Sequence, residues 1–359
     1  MQRQWNWIAV FVATWSVSVL SLSEAGTMRT TNHDYRHRQL AENPLYDPVG
    51  HLTMLNLDGS TTTCSGTLIQ RRWVLTAAHC IDTAEVIKFN AGSDNKNTGQ
   101  EFRGKEWFVH SDWTDEGAVQ NAFEGNDIGL LRLTQRIPNI KPARILKRGQ
   151  PRGQEVTIVG YGATGNGRTG SILPAGIKRA GKNVYDLRDA FNASQLTYDF
   201  DQNPTDPDYS GPARDPVTGE VHPTEHDFPI DFEYSSAEGD SGGPVFLGDQ
   251  IAGITSWGSS GSLFGGVSYD TNVKLFRKWI RRNIRKVNRG RAPIDTHRGW
   301  FLNPIFDSAP TMVFHSGIQP PGVTDWSFYG NTSTLPEPST IAFVLMAGIG
   351  LLTRRNCAR

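Results

Sequence analysis

Between residues 50 and 165 short apolar stretches alternate with turns. Examples are Val49-Gly50-His51-Leu52-Thr53-Met54-Leu55, Trp73-Val74-Leu75-Thr76, Ile128-Gly129-Leu130-Leu131-Arg132-Leu133 and Val156-Thr157-Ile158-Val159-Gly160. Stretches of this kind, bounded by turn residues, predict short β-strands. A Gly-rich loop follows from Tyr161 to Gly170, and Pro244-Val245-Phe246-Leu247 and Ile251-Ala252-Gly253-Ile254 predict further strands. From Thr271 to Val287 the period changes. Val273, Phe276, Trp279, Ile280 and Ile284 recur three and four residues apart among many basic residues, which predicts one amphipathic helix. Many short strands ending in a single helix predict an all-β, barrel-type fold. Residues 199–234, rich in Pro and Asp, have little periodicity and read as a long insertion loop. No internal repeat is visible.

Composition narrows the class. The 359-residue chain carries 36 Lys plus Arg and 36 Asp plus Glu, so its net charge is zero. That balance gives no reason to expect a nucleic-acid partner or an acidic substrate. Frequent Gly and Pro, 37 and 20, suit many strands joined by turns.

The two ends change the picture again. Arg3, the mostly apolar run Ile8 to Leu22 and the small residues of Ser23-Glu24-Ala25 predict a secretory signal over residues 1–25, with a mature start near Gly26. The competing reading is an uncleaved anchor, for which the apolar core is short. At the other end, Pro336-Glu337-Pro338-Ser339-Thr340 precedes an apolar run from Ile341 to Leu352 and then Arg354 and Arg355. Twelve apolar residues are few against the roughly 20 that span a bilayer. The order of motif, short span and arginines over residues 336–359 resembles the PEP-CTERM sorting signal of Gram-negative envelope proteins. That resemblance implies membrane attachment before processing by an exosortase-type enzyme, and an envelope or extracellular location; the alternative is an ordinary tail anchor. Export makes a disulfide chemically possible. Of the three cysteines, Cys357 lies beyond the arginines, leaving Cys64 and Cys80.

The chemistry lies in three local settings. They are Leu75-Thr76-Ala77-Ala78-His79-Cys80, Asn126-Asp127-Ile128-Gly129-Leu130-Leu131-Arg132-Leu133 and Gly239-Asp240-Ser241-Gly242-Gly243-Pro244. A serine hydroxyl attacks a peptide carbonyl when an imidazole removes its proton. A buried carboxylate must hold that imidazole, and N–H donors must receive the developing oxyanion. The three settings, in the order His, Asp, Ser, resemble the trypsin/chymotrypsin-like serine proteases over roughly residues 48–287. The resemblance implies two packed six-stranded antiparallel β-barrels with a C-terminal helix, and a serine endopeptidase acting on proteins or peptides through an acyl-enzyme. It implies Ser241 as nucleophile, His79 as general base, Asp127 as the orienting carboxylate, and the N–H groups of Gly239 and Ser241 as the oxyanion hole. It assigns Ser256, Trp257 and Gly258 to substrate binding and pairs Cys64 with Cys80. Residues 26–47 become an N-terminal segment, and residues 288–335 a linker or a cover on the second barrel.

Departures from the family pattern set further expectations. No Ile-Val-Gly-Gly start occurs near residues 26–48, although Asp240, which pairs with that terminus in the family, is present. The chain is expected to be active on signal cleavage or after a second cut near Arg36 or Arg38. The disulfide beside the nucleophile loop is absent, which predicts a mobile pocket wall. The implied pocket floor is Ser235, with walls at Gly258 and at Gly265 or Gly266; an uncharged floor between open glycine walls predicts cleavage after Phe, Tyr, Leu or Met. Glu238 and Asp270 are the residues that could redirect this toward Arg or Lys. No cofactor is expected and no residue is assigned to a metal, calcium in the 199–234 loop being the one alternative. The acidic residues of 199–234, Asp199, Asp201, Asp206, Asp208, Asp215, Glu220, Glu225, Asp227, Asp231 and Glu233, form either a solvated loop or a calcium site. Two other classes remain, a catalytically dead binding module on the same fold and a displayed structural protein. An esterase remains a further alternative, but the strand-to-helix context usual for its Gly-x-Ser-x-Gly motif is missing, since Gly239-Asp240-Ser241-Gly242-Gly243 precedes a predicted strand.

Overall fold

The computed structural model describes residues 26–29, 33–92, 100–113, 125–186, 193–205, 209, 229–258 and 260–300. Both targeting segments lie outside these residues, as do six of the ten acidic positions of the insertion: Asp206, Asp208, Asp215, Glu220, Glu225 and Asp227. No described helix is long and apolar enough to cross a membrane.

The chain opens with β1 (Gly26–Met28) and the helix α1 (Asp34–Ala41), then builds the first barrel. Its strands are β2 (Val49–Asn56), β3 (Thr61–Gln70), β4 (Trp73–Thr76), β5 (Ala84–Ala91), β6 (Gln100–His110) and β7 (Gly129–Leu133). They pair in the order β6-β5-β2-β3-β4-β7, and β6 pairs with β7 to close the ring. Side chains alternate across each strand, so Leu52, Met54, Phe89, Phe102, Trp107 and Leu131 fill the interior, while Leu130 is buried on the opposite face of β7.

The second barrel follows with β8 (Arg144–Ile145), β9 (Glu155–Gly160), β10 (Thr164–Asn166), β11 (Gly170–Leu173), β12 (Arg179–Val184), β13 (Gln195–Asp199), β14 (Tyr234–Ser235), β15 (Pro244–Leu247), β16 (Gln250–Gly258) and β17 (Val267–Asn272). Six of these run β12-β9-β15-β16-β17-β13, and β8 adds parallel to β16. Val156, Ile158, Tyr185, Leu196, Tyr198, Val245 and Ala252 make its core. A separate four-stranded sheet runs β11-β10-β1-β14.

Helix α2 (Val273–Asn288) buries Val273, Phe276, Trp279, Ile280, Ile284 and Val287, the stripe legible in the sequence. It begins two residues later than predicted because Thr271 and Asn272 are still paired with Ile254 and Gly253 in the sheet.

Two segments carry elements that the hydrophobic pattern did not predict. After α2, β18 (Thr296–Trp300) pairs with β6, so residues 296–300 add an accessory strand to the sheet of the first barrel. Residues 26–47, read without elements, form β1, α1 and a short 3-10 turn at Pro44–Tyr46. β1 lies between β10 and β14. α1 is anchored by the buried Arg179, whose Nε donates to Asp34, and by His37 Nδ1, 2.9 Å from the Ala180 carbonyl.

Candidate active site

Strand pairing brings two of the candidate residues to one end of the first barrel. Thr76 at the end of β4 pairs with Gly129 at the start of β7. His79 lies three residues past that pair and Asp127 two residues before it. His79 Nδ1 is 2.7 Å from Asp127 Oδ2, and the His79 backbone N–H donates to Asp127 Oδ1 at 3.0 Å. Asp127 is 2% exposed. Ser256 Oγ donates to the same Oδ2 at 2.6 Å, and Thr271 Oγ1 donates to the Asp127 carbonyl at 2.8 Å. Burial opposes charge on both His79 and Asp127, but their mutual attraction and hydrogen bond win. The net effect raises the imidazole pKa above 6.5 and holds the carboxyl below its ordinary range.

Ser241 sits between β14 and β15 in a turn held by both barrels. Ser65 of β3 supplies three of the bonds. Its N–H donates to the Ser241 carbonyl at 2.8 Å, its Oγ to the Gly239 carbonyl at 2.9 Å, and that Oγ accepts from the Tyr161 N–H. The Asp240 and Gly243 N–H groups close the turn onto Ala237 and Asp240 carbonyls. Gly242 has φ +77°, and a Cβ there would fall 2.0 Å from Thr76 Oγ1, so only glycine lets the turn approach the His79 strand this closely. Among the described residues the N–H groups of Gly239 and Ser241 have no acceptor, which leaves two donors free in the loop. Cys64 and Cys80 form a disulfide. Cys80 Sγ lies 3.7 Å from His79 Nε2 and 3.5 Å from the Ser241 carbonyl, so both residues rest against the same sulfur.

Asp240 is fully buried and points away from this cluster. It accepts from Gly162 N–H at 2.8 Å, Ala237 N–H at 3.0 Å and Tyr234 Oη at 3.3 Å. Burial outweighs those bonds and pushes its carboxyl up to about 6. Gly26 packs against the Tyr234 ring, where any Cβ would collide.

The expected pocket residues are corrected in part. Gly258 at the end of β16 pairs with Ser268, so Ser268 and not Gly265 or Gly266 faces it. Gly265 and Gly266 belong instead to the turn entering β17, where they exchange backbone bonds with Phe200. Ser235 and Ser236 come from the other side, and their hydroxyls lie 3.4 and 3.2 Å from Ser268 Oγ. Trp257 stacks on Tyr269 with ring centroids 3.9 Å apart. The wall expected to be mobile is tied: Ser262 Oγ donates to the Ser236 carbonyl at 2.6 Å, and Thr27 of β1 donates to the Ser262 carbonyl at 2.8 Å. Asp270 is buried on the face of β17 that carries Ser268, bonded by Tyr185 Oη.

Sequence reasoning missed Ser65, Ser262 and Ser268. Each is a small hydroxyl residue in a strand or turn, and its partners lie far along the chain; for Ser65 and Gly239 the separation is 174 residues. Two acidic residues of the insertion are also already engaged. Asp231 pairs with Arg36 at 3.3 Å, and the buried Glu233 accepts from Asn183 and the Ile230 N–H.

Residues 47–280 match the Trypsin family. A chymotrypsin of Phaedon cochleariae is 26% identical over 227 residues, 61% of this chain and 71% of that protein. A trypsin of Sarcophaga bullata is 26% identical over 230 residues, 62% of this chain and 80% of its own. The fold is similar to that of a solved collagenase, HL collagenase, with a TM-score of 0.50 and 18% identity over 67% of this chain and 95% of that one. With its two barrels, C-terminal helix and the matched span holding His79, Asp127 and Ser241, the chain belongs to the trypsin family of serine endopeptidases.

Proposed function

We propose that this protein is an exported endopeptidase in which Ser241 attacks the substrate carbonyl. His79 takes the serine proton and returns it to the leaving amine. Asp127 fixes the imidazole with Nδ1 protonated, which leaves Nε2 to act as base. The observation that carries this reading is the His79–Asp127–Ser256 network beside a serine turn with two unused N–H donors, those of Gly239 and Ser241. Donors without an internal partner are poised for an oxyanion. A dead binding module has no use for a buried carboxylate held charged by an imidazole, a serine hydroxyl and a backbone N–H. Ser256 through Gly258 end a strand, where an extended substrate can add by backbone pairing.

Ser241→Ala, His79→Ala and Asp127→Asn should each remove about 10⁴-fold of peptidase activity, because the three groups act as a unit. A fluorophosphonate should label Ser241 alone. Full activity of the purified Ser241→Ala protein sinks the proposal.

Export rests on the segment 1–25. The small residues Ser23-Glu24-Ala25 at its end support a mature start near Gly26. Removal by signal peptidase would create an ammonium at Gly26, one phenol ring away from the buried Asp240. The Pro336-to-Arg355 tail supports sorting to the envelope with release by an exosortase-type enzyme. Intact mass of protein from its native host tests both cuts, and a mass retaining Ile341 to Arg359 favours a permanent tail anchor.

A further inference from the structure

The substrate preference of this site turns on what fits between Ser235 and Gly258, the positions that the family resemblance assigns to the side-chain pocket. Gly258 and Ser268 are a cross-strand pair, so their Cβ directions lie on one face of the β16–β17 ribbon. A Cβ placed on Gly258 would already lie 3.7 Å from Ser268 Oγ and 3.4 Å from the Val267 carbonyl, which is ordinary van der Waals contact. Ser268 Oγ therefore adjoins the glycine wall.

The opposite wall meets the same hydroxyl. Ser236 Oγ is 3.2 Å and Ser235 Oγ 3.4 Å from Ser268 Oγ. Ser235, Ser236 and Ser268 are 3%, 7% and 2% exposed, so even water hardly reaches them. The rim cannot swing aside freely, because Ser262 is bonded to the Ser236 carbonyl and Thr27 to Ser262.

Resting on the protease reading above, we propose that Ser268 is a specificity-determining residue that closes the pocket and restricts cleavage to bonds after small uncharged residues such as Ala, Ser and Thr. A flat aromatic ring needs the space that the three hydroxyls occupy. Inserting it would part hydroxyls that satisfy one another and leave them buried without partners. A Lys or Arg side chain meets a floor of neutral hydroxyls. Asp270 lies on the same face two residues beyond Ser268 and is fully buried; Tyr185 holds Oδ2, Oδ1 has no partner among the described residues, and burial raises the carboxyl to about 7, so it is only partly charged at neutral pH. A buried substrate cation without a counter-charge in reach is costly. A small side chain fits beside Gly258, and a hydroxyl on it can bond to the serines.

The test is cleavage-site profiling of the wild type and Ser268→Gly on a peptide library varied at the residue before the cut, with fluorophosphonate labelling of Ser241 in parallel. The wild type should favour Ala, Ser and Thr over Phe, Leu, Lys and Arg by at least about tenfold, the scale on which pocket volume discriminates. Ser268→Gly should raise cutting after Phe or Leu by about tenfold or more. If that variant misfolds, Ser268→Ala, which keeps Cβ and removes only the hydroxyl, should move the preference toward Val and Leu. Wild-type cleavage mainly after Phe, Leu, Lys or Arg overturns the inference while leaving the protease reading intact. Absence of both cleavage and Ser241 labelling overturns the protease reading and this inference with it.

Discussion

Ser256 Oγ donates a 2.6 Å hydrogen bond to Asp127 Oδ2, the oxygen that also holds His79 Nδ1. The second barrel thus reaches into the first through β16 and fixes the carboxylate on which the imidazole depends. The bond is charge-assisted and removed from bulk water, so it belongs to the stronger class. Replacing Ser256 with Ala should cost on the order of 1.5–3 kcal/mol of stabilisation of that carboxylate, seen as a roughly ten- to hundredfold fall in kcat/KM. Steady-state kinetics on a short peptide ester check this; an unchanged kcat/KM would show that Asp127 is held without Ser256.

The pH profile follows from the same pair. Burial alone would lower the His79 pKa, but the Asp127 charge and hydrogen bond raise it above 6.5. The base works only when neutral, so kcat/KM should climb with pH through a midpoint above 6.5 and level off beyond it. In Asp127→Asn the raising influence disappears and burial remains. Its residual activity should therefore climb at lower pH than the wild type does. A midpoint that stays fixed between the two proteins refutes the electrostatic account.

The Cys64–Cys80 bridge spans 16 residues and ends beside His79. Closing a loop of that length stabilises by about 3 kcal/mol in the chain-entropy account. The double variant Cys64→Ser, Cys80→Ser should unfold at correspondingly lower urea. It should also lose activity beyond what unfolding explains, because Cys80 Sγ contacts both the imidazole and the Ser241 carbonyl. Native stability in the double variant would remove the bridge from the account.

How much of this was legible in the sequence depends on the range of the interaction. The motifs around His79, Asp127 and Ser241 are local, and the α2 stripe is periodic, so both could be read directly. The barrels could be read only through resemblance, because strand pairing joins residues far apart. Ser65 illustrates the loss. It occupies an ordinary strand position in a run of threonines and serines, and only the fold brings it to Gly239 and Ser241. β1 and α1 were hidden for another reason. β1 has three residues, and α1 is polar, burying only His37 and Ala41. Ser268 could not be read for the same reason as Ser65: only the β16–β17 register sets it opposite Gly258.

The N-terminal segment is tied to the second barrel through a buried ion pair. Arg179 is fully buried, and its Nε donates to Asp34 at the start of α1. Asp34→Ala would leave the guanidinium in the interior without its carboxylate, at a cost of about 3–5 kcal/mol. Urea unfolding should show a loss of this size, and limited proteolysis should cut first within residues 29–42. A loss under about 1 kcal/mol, the range of exposed pairs, would show that α1 is dispensable.

The last prediction concerns Asp240 and the chain start. Burial raises its pKa from 3.8 to about 6 despite the Ala237, Gly162 and Tyr234 hydrogen bonds. A carboxyl raised in the folded state favours folding in its protonated form. That contribution is complete below pH 3.8 and is lost as pH rises through about 6, and a shift of this size corresponds to roughly 3 kcal/mol. A precursor with residues ahead of Gly26 should therefore lose stability between pH 4 and pH 7. A chain beginning at Gly26 carries an ammonium beside Tyr234, within reach of the buried carboxylate. The pairing would lower the Asp240 pKa and reverse the trend, so that stability is held at neutral pH and falls as the carboxylate is protonated. Thermal melts of the two forms across pH 4 to 8, with Asp240→Asn as control, separate these outcomes. Parallel curves for the two chain starts would show that the Gly26 amine does not pair with Asp240. Activity should follow the same division, since Asp240 adjoins Gly239 and Ser241 and its placement sets the aim of their N–H groups.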